Sequence, residues 1–590
     1  MKKLDLQFIT LDQLHKVPRA DLPALASNIR LFLINSISKT GGHIGANLGA
    51  IELTIALHYA FLSPDDAIIF DTGHIGYAHK ILTGRLEGFK TLNSYGGMSR
   101  FVSRHESEHD FVEASHAGTS ISLALGRAIS MRNRGLSHWT IAFIGDGSLS
   151  EGLAFEALNH ASVEKNIRLI IVLNDNGFAI SRGFGAIHNH LQTRLIGSRD
   201  PDPLFTSLGY KTIGPVDGHN ITALLDAIDE AKSSSKVSLL HAKTEKGRGL
   251  PPAATHPFKM HFSFPFDPTT GFAKETSMQP SYQDIAAKAI LAQMEKDPNI
   301  AAITPSTLYA TGLADVFSKF PDRCFDPGME EQHALTMAVG LALSGTRPVI
   351  FYQSTFLQRA FDQMIHDVCF ANQDILVLAV RSGFAGYDNP THHGIYDLSY
   401  MRCLPNLTIY YPRNGKELFD MITSGLTNQK NGPTLILMPY GPADMTDFEK
   451  NKSIININKP ELLRSGNDGI VLAVGNKVAA CEKALDILKN QGLSFGLVNL
   501  RRLKPLPEAE LIELINSVPQ VITVEEGVLE GGIGASVSSF MHRYRLNSSL
   551  IQIGLPCAFI EAGSNEELSE KYKLNAAGIA SQIIADMRKK

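Results

Sequence analysis

The chain has 590 residues, 44% of them hydrophobic and 19% charged, with a net charge of −4. This is too long for one core and ordinary in composition for a globular chain, so about three domains are expected. The balance of charge argues against a nucleic-acid partner, no run approaches the roughly 18 apolar residues of a membrane span, and the opening MKKLDLQFITLDQL carries charges where a signal peptide is apolar.

Apolar strand-like runs alternate with helical stretches along the whole chain, which predicts α/β layers with mostly parallel sheets. The first block runs to about residue 275 and contains WTIAFIGDG and LIIVLNDN, each a short apolar run ending in polar residues and glycine. The stretch HPFKMHFSFPFDPTTG (256–271) breaks the pattern with proline, glycine and threonine and reads as a linker. A second block, 276–455, opens near SYQDIAAKAI and offers the strands RPVIFYQ, ILVLAV, LTIYY and TLILM. The polar stretch DMTDFEKNKSIININKPELL leads to a third block, 456–590, with GIVLAVG, FGLVNL, QVITVEE and SLIQIGL. The five cysteines (Cys324, Cys369, Cys403, Cys481, Cys557) are scattered and odd in number, forming neither a disulfide framework nor a metal set, which suits a reducing cytoplasm.

Two places carry chemistry. Gly145-Asp146-Gly147 follows the strand IAFI, and about thirty residues on a second strand ends in Asn174-Asp175-Asn176. Parallel sheets bind ligands at such carboxyl ends, and a carboxylate with an amide oxygen makes the hard donor set that Mg²⁺ takes when it carries a diphosphate. A glycine turn alone would also account for the first motif. In the second block, GMEEQHALTMAVGLALSG starts a helix at Glu331, where a simple capping role would also account for a glutamate.

These motifs, with SKTGGHIGANLGAIELTIALHYAF, DTGHIGYAHKILTGR, EGLAFEALNHAS, STFLQRAFDQMIHDV, NPTHHGIYDLSYMRCLPN and IGLPCAFIEAGS in the same order, resemble the 1-deoxy-D-xylulose-5-phosphate synthase family over nearly all of the chain. The resemblance implies a transketolase-like α/β fold. Residues 1–275 would form the diphosphate-binding domain with linker, 276–455 the pyrimidine-binding domain, and 456–590 the transketolase C-terminal domain, which would serve assembly. It implies thiamine diphosphate and Mg²⁺ as cofactors, with Asp146, Asn176 and the Phe178 carbonyl as metal ligands. Gly147 and Ser148 would face the diphosphate, with Ser115, His116 and Ala117 beside it and Leu250 where the family carries an aromatic residue. Glu331 would hydrogen-bond N1′ of the aminopyrimidine and so activate the cofactor, flanked by Phe356 and Arg359. His43, His74, His261 and His392 would manage protons, and Arg381, Asp388, Gln353 and Tyr440 would meet substrate. The implied reaction decarboxylates pyruvate and passes a two-carbon acyl unit to an aldehyde, D-glyceraldehyde 3-phosphate if the family activity is kept, in a cytoplasmic homodimer.

The departures concern the acceptor. Tyr440, in LMPYGP, takes the place of an arginine; Gln353 replaces a tyrosine, with Tyr352 next to it; Ala46 replaces a serine; and Asn93 replaces another arginine. Each lost charge-assisted contact to phosphate is worth roughly 1.5–3 kcal/mol. Either the extra arginines Arg100 or Arg413 supply the charge, or the acceptor lacks a phosphate, as in a transketolase-like or acyloin-forming enzyme. The segment 188–219 is also shorter than in the family, which would alter gating. A 2-oxoacid dehydrogenase component and a non-catalytic, cofactor-binding paralogue are the remaining alternatives. The family order of segments argues against the first, and the retained Glu331, Asp146 and Asn176 against the second.

Overall fold

A computed structural model describes residues 5–588 apart from 199, 276–278, 428–431, 446 and 449–453. The chain forms two compact units, Met1–Thr276 with Pro327–Glu330, and Ser277–Asp326 with Glu331–Lys590.

The first unit is built on a parallel sheet in the order β1-β2-β3-β5-β4. Its strands are β1 (Ala67–Phe70), β2 (Thr140–Gly145), β3 (Leu169–Asp175), β4 (Lys211–Asp217) and β5 (Ser238–Lys243). β3 is buried along its whole length because helices cover both faces, which is why its sequence is a continuous apolar run. Alternate side chains divide between two cores. Ile68, Phe70, Ile141, Phe143, Ile170 and Val172 pack with the helices Leu22–Thr40, Ile51–Ala60 and Ile221–Ser233. Ile69, Ala142, Ile144 and Ile171 pack with Ser120–Asn133 and Gly152–Ala161.

The second unit holds two sheets. One has the order β15-β10-β11-β9-β8-β6-β7 and comprises β6 (Ile300–Ile303), β7 (Cys324–Phe325), β8 (Arg347–Gln353), β9 (Leu376–Ser382), β10 (Thr408–Tyr410), β11 (Thr434–Pro439) and β15 (Arg502–Lys504). The other has the order β12-β14-β13-β16-β17, with β12 (Glu461–Arg464), β13 (Gly469–Ala473), β14 (Phe495–Asn499), β16 (Gln520–Val528) and β17 (Ser549–Leu555). All pairings are parallel except β15 on β10 and β12 on β14. Because β15 comes from the C-terminal part of the chain yet extends the earlier sheet, the last two sequence blocks fold as one unit.

The stretch read as a linker is held against the first unit as a strap. Gly42 and Ser263 exchange backbone hydrogen bonds of 2.8 and 2.9 Å, Gly45 N–H donates to the Met260 carbonyl at 2.9 Å, and Met260 and Phe266 are buried. Gly45 is required here, since a Cβ would lie 2.0 Å from the Lys259 carbonyl oxygen. The polar stretch 444–463 lies partly outside the described residues. In the shortened segment, helices Gly185–Thr193 and Pro203–Ser207 are joined by His190 and Asp202 at 2.9 Å. The five cysteines are free, and no helix among the described residues is long and apolar enough to cross a membrane.

Candidate active site

In the first unit the carboxyl ends of neighbouring strands carry the polar groups. Beyond β1, the buried Asp71 accepts the N–H groups of Gly118 (2.7 Å) and Ser120 (2.9 Å) and so pins the loop holding Ser115, His116 and Ala117 at the start of a helix. Gly118 has φ +82°, and a Cβ there would lie 2.9 Å from Cβ of Glu151. Beyond β2, Asp146 accepts the N–H groups of Gly177 (3.0 Å) and Asn176 (3.4 Å), while the Asn176 amide oxygen accepts that of Phe178 (3.1 Å). Asp146, Asn176 and the chain at Phe178 are thereby gathered into one knot. Gly147 follows, where a Cβ would meet Ala179 Cβ at 2.6 Å; Ser148 is buried beside Asp71.

Beyond β5 stands Lys246, a residue that sequence reasoning did not single out although it lies in the KGRGL run. It is 5% exposed, donates to the Ala179 carbonyl at 2.5 Å and lies 5.7 Å from the centre of the Phe178 ring. Burial, opposed by Asp146, pushes its pKa down to about 7. Burial and the Asp175 carboxylate push Asp146 up to about 7. A buried acid and a buried amine are thus both held far from their preferred charge states. A divalent cation on the first and an anion on the second would reverse both penalties, so the residues fit a metal diphosphate. Among the described residues no cluster of three or more His, Cys, Asp or Glu could hold a metal. Leu250 is packed in the apolar core and offers no polar side-chain atom.

Three of the predicted histidines meet in the same unit. Ring centres of His43 and His74 are 4.9 Å apart, those of His74 and His261 5.0 Å, and those of His43 and His261 5.5 Å. Asn47 arranges them: its amide donates to the carbonyls of both His43 (2.6 Å) and His74 (2.7 Å), and its oxygen accepts Tyr77 N–H at 2.8 Å. The 256–271 strap delivers His261. Burial, helped by Lys246 and the two other histidines, holds His261 well below the usual imidazole range, so it is neutral near pH 7.

Arg100 stands near this cluster. Its guanidinium stacks 4.7 Å from the centre of Phe262, whose ring lies 5.2 Å from His43. Its Nε donates to Asn93 Oδ1, and the Asn93 amide donates to the carbonyls of Thr40 (2.6 Å) and Gly41 (3.1 Å). Asn93 therefore brackets the turn before His43 and orients an arginine seven positions on. Ala46 is buried.

In the second unit, Glu331 is the first residue of the helix Glu331–Leu343 and 5% exposed. The Tyr352 phenol donates to its backbone carbonyl at 2.8 Å. Tyr352 and Gln353 are successive residues of β8, so their side chains take opposite faces; Tyr352 is in the core and does not replace the family tyrosine at Gln353. Phe356 and Arg359 lie in the turns after β8, with the Phe356 ring 5.8 Å from that of His392. Arg381, at the end of β9 with φ +65°, donates to Asp388 at 2.5 Å and lies 4.8 Å from the centre of the Tyr440 ring. Arg413 is committed elsewhere: it donates to Asp447 at 3.0 Å and stands within 3.6 Å of Glu417 and 3.5 Å of Glu461, so these carboxylates already balance its charge and it does not supply the missing phosphate contact.

Comparison with known proteins gives the family. The family description "1-deoxy-D-xylulose-5-phosphate synthase" matches residues 6–200 and 194–244, "Transketolase, pyrimidine binding domain" matches 278–442, and "Transketolase, C-terminal domain" matches 458–579. The fold is that of the transketolase-like, thiamine-diphosphate-dependent transferases. The chain is 38% identical to a 1-deoxy-D-xylulose-5-phosphate synthase of Thioalkalivibrio sulfidiphilus, covering 97% of this chain and 93% of the relative. It is 40% identical to that of Aquifex aeolicus, covering 95% of each. The chain belongs to the 1-deoxy-D-xylulose-5-phosphate synthase family. Among solved structures it is similar to a transketolase of Campylobacter jejuni, 16% identical, covering 95% of this chain and 98% of that one with a TM-score of 0.45.

Proposed function

We propose that the protein decarboxylates pyruvate with thiamine diphosphate and Mg²⁺ and transfers the two-carbon acyl unit to an aldehyde. The observation that carries this reading is the cradle at the strand ends, where Asp146 and Lys246 are buried against their preferred charge states beside Gly147 and the Asn176–Phe178 turn. The Asp146 and Asn176 side chains and the Phe178 carbonyl would hold Mg²⁺. Gly147, Ser148, Lys246 and the main chain of 115–117 would hold the diphosphate. Residues 1–275 thus serve the diphosphate, 276–455 the pyrimidine ring, and 456–590 form the C-terminal domain.

When bound, thiamine diphosphate supplies a nucleophilic carbon and a sink for the electron pair left by carbon dioxide. Glu331 would hold a proton at N1′ of the aminopyrimidine, and Phe356 and Arg359 would help hold that ring. His43, His74 and His261 line the donor side and exchange protons with the donor and acceptor oxygens, His261 entering as a neutral imidazole. His392, Asp388 and Arg381 orient the acceptor. By family the protein acts as a cytoplasmic homodimer.

Two readings of the acceptor each have an observation in their favour. Arg100, oriented by Asn93 near His43, supports D-glyceraldehyde 3-phosphate. Tyr440 against Arg381, itself paired with Asp388, favours an unphosphorylated aldehyde. The test is carbon dioxide release from pyruvate with thiamine diphosphate and Mg²⁺, alone and with glyceraldehyde or its 3-phosphate. Release stimulated by one aldehyde identifies the acceptor class; no release under any condition would remove the proposal.

A further inference from the structure

We infer that the C-terminal part of the chain is a positioning element for the substrate loop, and that His393 is the residue through which it acts. The inference rests on the function proposed above, because the loop 383–395 carries Asp388 and His392. Both limbs of the loop are closed by paired backbone bonds between Gly383 and Gly394, of 3.0 and 2.8 Å. Beyond that closure Arg381 holds Asp388, Thr355 donates to the Thr391 carbonyl at 2.7 Å, and a further set of contacts comes from the C-terminal part of the chain.

His393 is fully buried and bonded at both ring nitrogens. Nδ1 stands 2.9 Å from Ala385 N, and that amide is the donor, so Nδ1 bears no proton. The ring proton of the neutral form therefore sits on Nε2, which donates to the Glu561 carbonyl at 3.0 Å. One imidazole thus spans the loop from limb to limb and anchors it to the segment after β17. Burial lowers its pKa, in keeping with the neutral ring.

Three further contacts act in the same sense. Glu526 on β16 accepts Phe384 N–H at 2.8 Å and is balanced by Lys477. Gly383 approaches it so closely, at φ +85°, that a Cβ would lie 2.3 Å from the Glu526 oxygen. Tyr387 donates its O–H to Glu567 at 2.5 Å, and Val528 N–H donates to the Ile395 carbonyl at 3.0 Å. A loop that must hold an acid and an imidazole in register loses rate through small displacements, so an external clamp of this kind bears on substrate orientation as well as on stability.

The test uses the full chain with thiamine diphosphate and Mg²⁺. His393→Leu removes both bonds, whereas His393→Gln offers a neutral acceptor and donor in one side chain. His393→Leu is expected to raise KM for pyruvate or the aldehyde about tenfold with the cofactor dissociation constant changed less than about twofold, and His393→Gln to remain within about threefold of wild type. Tyr387→Phe, at a half-buried position, keeps the question open to measurement if the leucine variant does not fold, and should raise KM about threefold. Amide hydrogen exchange over 383–395 should accelerate in His393→Leu while the first unit is unchanged. Unaltered KM values in His393→Leu and Tyr387→Phe, or unaltered exchange, would overturn the inference. If wild type releases no carbon dioxide from pyruvate, the proposed function fails instead, and the exchange measurement still judges the clamp.

Discussion

The Tyr352 phenol donates to the backbone carbonyl of Glu331 at 2.8 Å, so a core side chain of β8 fixes the first residue of the helix that presents the candidate activating carboxylate. Burial, with Glu331 nearby, pushes the phenol well above its usual range, so it stays a donor at every pH of interest. Glu331→Ala should lower turnover about 10²–10⁴-fold and leave the melting temperature near that of wild type. Tyr352→Phe keeps the ring packing and loses one hydrogen bond, which should cost about 1 kcal/mol of stability and a few-fold in kcat. Steady-state rates and thermal unfolding check both, and near-normal turnover of Glu331→Ala would exclude the assigned role.

Lys246 separates binding from folding. Replacing it with methionine removes the buried ammonium that the diphosphate would neutralise. The cofactor dissociation constant should rise about 10–100-fold, the equivalent of a charge-assisted contact of about 1.5–3 kcal/mol. The ligand-free protein should not lose stability. Burial depresses the amine to about 7 from its ordinary 10.5, so its contribution is complete above pH 10.5 and is lost as pH falls through about 7. The methionine variant should therefore gain on wild type between pH 10 and 7, read by denaturant unfolding without cofactor. Unchanged cofactor affinity by calorimetry would take Lys246 out of the site.

Much of the architecture was legible because parallel strands buried on both faces must be continuous apolar runs. β2, β3, β8, β9, β11, β13, β14 and β16 all coincide with such runs. The edge strands β12 and β15 were not, since β12 alternates half-buried and exposed residues and β15 is a short polar segment whose place depends on a distant partner. The same division holds at the site. Asp146, Asn176 and Glu331 stand at strand and helix ends that the local pattern reveals. Asn47, Lys246 and Tyr352 act through partners 4 to 67 positions away, and no local periodicity encodes such pairs. The pairing of 256–271 with Gly42 was not legible for a related reason: proline and glycine mark irregular backbone and do not tell a free connection from one that a neighbouring segment holds.

Asp397 predicts a pH dependence of stability. It is buried, accepts hydroxyl donors from Ser354 and Ser382, and is raised by burial to about 7 from its ordinary 3.8. A raised acid stabilises the fold fully below its unfolded pKa, and that contribution is lost as pH rises through about 7. Asp397→Asn does not titrate, so its stability relative to wild type should grow between pH 4 and 7, by up to a few kcal/mol, and level off above. Unfolding curves at pH 5 and pH 8 measure the difference, and an equal offset at both would show that Asp397 is ionised throughout.

Arg100 and Tyr440 allow the acceptor question to be asked from two sides. Asn93 orients the Arg100 guanidinium near His43, so Arg100→Ala should raise KM for glyceraldehyde 3-phosphate about 10–100-fold and alter that for glyceraldehyde less than about twofold. Tyr440→Arg would place a second guanidinium beside Arg381, where the aromatic ring now covers it. Without a phosphate the two charges repel, so the free variant should be slightly less stable. With one they can bind it together, and KM for the phosphorylated aldehyde should fall about tenfold. If Arg100→Ala changes neither KM while Tyr440→Arg lowers that for the phosphorylated substrate, Arg100 is a structural residue and the native acceptor carries no phosphate. If Arg100→Ala discriminates and Tyr440→Arg has no effect, the anion site has moved to the first unit.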